Sequence, residues 1–208
     1  MVETKTSWEF VNSPGPFASC HYRDMESCFS EFGYGTWKIA TTAETFRFSR
    51  FRNDAFFWTS TRNLWTPEGI IVYDDPERKM PSDAETLMKM HNDGDPTVRY
   101  VKRGFKDGKM TIEDFVNNPL VLAQVKTQEV GEEKMKDIVR YIAKSFAVDS
   151  EHAYVHNDYF EGKQDKRELP LRHTGIDIWG PRYRMLHLYC SAGEDVDGGV
   201  HGYMKRYG

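Results

Sequence analysis

The stretch EHAYVHNDYFEGK, residues 151–163, places two histidines and a carboxylate inside an aromatic run. Read as a strand, its side chains alternate from face to face. His152, Tyr154, His156 and Asp158 then share one side, and Val155 and Tyr159 take the other. Imidazoles and a carboxylate on one face suit a divalent transition metal, provided further ligands arrive from elsewhere in the fold. His173 and His187 are the candidates to supply them, so the metal expectation rests on His152, His156, Asp158, His173 and His187. The plainer reading is that these histidines are hydrogen-bonded, partly buried side chains of a strand with aromatic neighbours.

Other chemistry finds less support. The sequence has no G-x-S-x-G, no Ser-x-x-Lys, no G-x-G-x-x-G and no phosphate-binding Gly-rich loop, which removes the local signatures of serine hydrolases and nucleotide enzymes. The cysteines Cys20, Cys28 and Cys190 are odd in number and form no C-x-x-C. They read as reduced thiols, which favours a reducing, intracellular compartment over a disulfide framework or a structural zinc site. The oxygen-rich pieces HNDGDP (91–96) and GEDVDGG (193–199) lack the ligand spacing of a calcium loop and read as turns. FRFSRFRNDAFFWTSTRNLW (46–65) interleaves Arg47, Arg50, Arg52 and Arg62 with aromatics, the pattern that holds single-stranded nucleic acid by stacking and charge. The formal charge of −4 over 208 residues offers no wider attraction to phosphate, so nucleic acid is not the favoured partner.

The elements that must position these residues come from hydrophobic period and turn chemistry. Composition, with 39% hydrophobic and 29% charged residues, belongs to a folded chain. No apolar run reaches membrane-spanning length, so no transmembrane span is expected. Residues 1–35 are punctuated by Gly and Pro and read as an irregular N-terminal segment containing aromatics, with 36–208 as a single domain. TWKIAT (36–41), TFRFSRF (45–51), AFFWTS (55–60) and GIIVYD (69–74) predict a meander of four strands. Ser82 and Glu85 form a capping box that opens a short helix. Further strands are expected at 97–105, 119–125, 152–160, 175–179 and 183–190, and one or two helical turns at 111–117. Met135, Ile138, Val139, Ile142 and Phe146 recur at helical spacing and predict a long amphipathic helix over 132–147. The expected class is α+β, a mostly antiparallel sheet packed by one long and one or two short helices.

His156-Asn157-Asp158 has the H-x-D form of two ligands of a non-haem iron facial triad. A helix precedes it, and RYRMLHLYCS (182–191) and DGGVHGY (197–203) follow it. In this order the segment resembles the prolyl-4-hydroxylase-type iron/2-oxoglutarate dioxygenases, in which a strand ending in Tyr and a Gly-Gly turn come after the H-x-D strand. The resemblance implies iron(II) at His156 and Asp158, and 2-oxoglutarate as co-substrate.

Residue by residue, no complete catalytic constellation emerges, and no catalytic or cofactor-binding residue is assigned. Trp8, Phe10, Phe17 and Phe29 lie in a segment with weak secondary-structure signals, and Tyr203 and Tyr207 lie in an aromatic and basic C-terminal tail. Aromatic groups of this kind gain stability by lying across a partner. The expectation is a non-catalytic accessory or structural subunit that works through protein–protein contacts, with no cofactor.

Overall fold

The computed structural model describes residues 7–11, 37–48, 56–74, 84–146, 151–156, 171–179, 185–190, 200–201 and 203–207. Its fold is α+β with a mostly antiparallel larger sheet. The strands are β1 (Ser7–Val11), β2 (Trp37–Ile39), β3 (Phe56–Thr66), β4 (Gly69–Asp74), β5 (Val98–Lys102), β6 (Gly108–Thr111), β7 (His152–His156), β8 (Leu171–Trp179), β9 (Met185–Tyr189), β10 (Val200–His201) and β11 (Tyr203–Tyr207). The helices among the described residues are α1 (Thr42–Phe48), α2 (Ala84–Asn92), α3 (Ile112–Val116), α4 (Pro119–Val125) and α5 (Glu132–Phe146).

The larger sheet runs β5-β4-β3-β8-β9-β7-β6, with β10 added in parallel beside β3. Its ladders are antiparallel except β7–β9 and β10–β3. β3 and β4 form a tight hairpin in which the Thr66 hydroxyl accepts from Gly69 N at 3.1 Å and donates to Gly69 O at 3.0 Å. Gly69 must be glycine here, because a Cβ would stand 2.2 Å from the Val101 carbonyl of the neighbouring strand. A smaller sheet has the order β1-β11-β2 and is antiparallel throughout.

Two segments expected as strands are helices, and both carry start signals that outweigh strand-like composition. In α1, Glu44 N donates to Thr41 Oγ1 at 3.2 Å and Thr41 N donates to Glu44 Oε2 at 3.0 Å. This reciprocal pair is a capping box, T-x-x-E, and it turns the Phe/Arg alternation into a helix as far as Phe48, residues 49–51 lying outside the described residues. In α4, Asn118 Oδ1 accepts from Leu120 N at 2.9 Å and Pro119 stands at the first helical position. Capping asparagine and N-terminal proline together start a helix in PLVLAQV, an apolar run equally compatible with a buried strand. The four-strand meander is therefore corrected to β2, a helix, and the β3–β4 hairpin. A strand also stands at Ser7–Val11, inside the segment expected to be irregular.

Helices α1, α3, α4 and α5 cover one face of the larger sheet. Trp65, Ile70, Val72, Val155, Ile176, Leu186 and Leu188 from the strands meet Phe46, Phe115, Leu120, Val121, Met135, Val139 and Ile142 from the helices. On the opposite face α2 sets Leu87 against Leu64 and Ile71. None of the described helices is long and apolar enough to cross a membrane.

Candidate functional site

β7 lies between β6, antiparallel, and β9, parallel. Its residues alternate as a half-buried strand should. Ala153 and Val155 enter the core beneath the helices, and Tyr154 and His156 face the other way. The parallel register pairs Tyr154 with His187 and His156 with Tyr189. Both pairs stack. The Tyr154 and His187 rings are 5.2 Å apart at 15°, and the His156 and Tyr189 rings are 5.0 Å apart at 16°. Along each strand the contacts continue, with Tyr154 and His156 at 5.3 Å and His187 and Tyr189 at 5.7 Å. The result is a block of four rings on the sheet face opposite the helices.

His187 is the buried member, 7% exposed, with its Nδ1 3.5 Å from the Tyr189 hydroxyl. Burial pushes its pKa down from 6.5 to about 4, and the charge of His156 adds to the shift. Its imidazole is therefore uncharged at neutral pH. An uncharged imidazole between phenol rings is a packing group and a hydrogen-bonding group, and it keeps a nitrogen lone pair.

Two of the other predicted ligands stand at other positions of the sheet. His152 shares the face but stands at the far end of β7, opposite Thr111. Four residues of strand separate it from His156 by roughly 13 Å. His173 pairs with Arg62 on β8, which lies two strands from β7 in the sheet order, roughly 10 Å away in the pairing direction alone. No three His, Cys, Asp or Glu residues among those described converge on one point. Asp158 lies outside the described residues. His156 and His187 are each stacked on a tyrosine.

A second polar cluster escaped the sequence reading. Thr42, Thr59, Thr61, Asn63, Gln124 and Thr174 are all essentially solvent-free. Thr174 donates to Gln124 Oε1 at 2.6 Å, Asn63 donates to Thr174 Oγ1 at 2.8 Å, and Gln124 closes the triangle by donating to Asn63 Oδ1. Thr59 donates to the Thr174 carbonyl at 3.0 Å, and its hydroxyl is 3.0 Å from that of Thr42. The seam marks an irregularity in β3. Trp58 pairs with Gly175 and Arg62 with His173, so Thr59, Ser60 and Thr61 together oppose Thr174. Such bulges bend a strand and re-aim its side chains. The bulged Ser60 turns its N–H to the Ala40 carbonyl at 3.0 Å, and its buried hydroxyl has no hydrogen-bond partner among the described residues. The readable signal was TSTRN, five polar residues inside an otherwise aromatic strand.

Cys190 is fully buried, and burial pushes its thiol well above the ordinary range. Its carbonyl accepts from Trp65 Nε1 at 3.2 Å, and Gln124 Nε2 is 3.8 Å from its sulfur. A thiol held protonated in this way is a poor nucleophile.

The arginine–aromatic stretch is divided by the fold. Arg47, on α1, pairs with Glu129 at 2.5 Å and lies over the Phe48 ring, and Arg62 is buried in β3. Arg50 and Arg52 lie outside the described residues, as do Phe17 and Phe29. Trp8 and Phe10 are in β1, paired with Arg206 and Met204, and Tyr203 and Tyr207 of β11 pair with Val11 and Ser7. Comparison with protein-family models, with curated proteins and with solved structures finds no match for this chain.

Proposed function

We propose that the protein is a non-catalytic subunit that works through protein–protein contacts in a larger assembly. The observation that carries this reading is the small β1-β11-β2 sheet, which joins a strand from near the beginning of the chain to one from near its end. Among the described residues β1 and β2 each pair on one side only. An edge strand is a template for a strand of another chain, and alternate side chains then supply specificity. Trp8 and Phe10 on β1 and Trp37 on β2 are the residue types that dominate such contacts. The groups with chemical potential support the same reading. His156 and His187 are spent on ring stacking, and Cys190 is sealed in the core.

The test is native size. In extract of the cells that make it, the protein should elute well above its own 24.2 kDa. Removing residues 1–11 should return it to monomer size while its cooperative thermal unfolding persists. Elution of the intact chain at its own mass in fresh extract rejects the reading.

A further inference from the structure

We draw no further inference here: the strongest candidate, the surface patch of exposed cations Lys102, Arg103, Lys106 and Lys109 on and beside the connection between β5 and β6, interleaves with the carboxylates Asp107 and Asp114, the latter paired with Lys106 at 3.0 Å, and nothing in the structure shows what covers it.

Discussion

Tyr154 and His187, paired directly across the parallel β7–β9 ladder, stack with their ring centroids 5.2 Å apart and their planes 15° apart. The contact decides the protonation of the imidazole, because a ring placed there is buried and can keep only its neutral form at low cost.

The first expected outcome concerns acid stability. The folded pKa of His187, about 4, lies below its ordinary 6.5, so the unfolded chain takes up a proton that the folded chain refuses. Stability is therefore full above pH 6.5 and falls as the pH drops toward about 4, where the group also titrates in the folded protein. The loss across that window is about 3 kcal/mol for this residue. Urea unfolding at pH 7.5 and pH 4.5 measures it. His187→Gln should flatten this part of the profile. A variant as acid-sensitive as the wild type would assign the effect to other groups.

Gln124 is expected to matter more than an average buried side chain. Gln124→Leu keeps the bulk but leaves Asn63 Oδ1 without its donor and Thr174 Oγ1 without its acceptor. The cost should be roughly 2–4 kcal/mol in chemical denaturation. Asn63→Leu added to it should cost less than the sum of the two single changes, because the second substitution removes a group already stranded. Strict additivity would mean that the triangle does not act as a unit.

Two aromatic truncations should separate core from surface. Phe115 is fully buried between α3 and the sheet, and Phe115→Ala should cost about 3–5 kcal/mol. Tyr141 on α5 is 74% exposed, and Tyr141→Ala should change stability by no more than about 0.5 kcal/mol. A large loss of stability at Tyr141 in the isolated chain would show that the outer face of α5 is covered.

Cys190 should resist thiol reagents in the folded protein, since it is solvent-free and held protonated. Peptide mass spectrometry after alkylation, native against urea-unfolded, reads this directly. Modification of Cys190 at equal rates in the two states would mean that the β9 end of the core opens readily.

Much of the fold was legible because several of its signals are local. The strands Gly69–Asp74, Val98–Lys102 and Met185–Tyr189 stand where β-branched and aromatic runs placed strands, and the capping box at Ser82 precedes the helix Ala84–Asn92. Thr42–Phe48 and Pro119–Val125 were misread for a local reason too. Their apolar content fits either period, and the deciding groups are single capping side chains, Glu44 and Asn118, which composition outweighs. The face shared by Tyr154 and His156 was also visible, since alternation along a strand is a property of the backbone.

What the chain dictated alone was the α+β class, many of its strands and which residues of 152–156 share a side. What only the tertiary structure decided was company. Sharing a face does not bring His152 to His156, because an extended backbone carries them roughly 13 Å apart. The parallel register of β7 on β9 instead gives His156 the ring of Tyr189, and His187 the ring of Tyr154. Gln124, Asn63 and Thr174 met in the same way, through the packing of α4 over β3 and β8. Pairing across strands and layers joins residues distant in sequence, and no local pattern of residue types encodes which neighbour each will find.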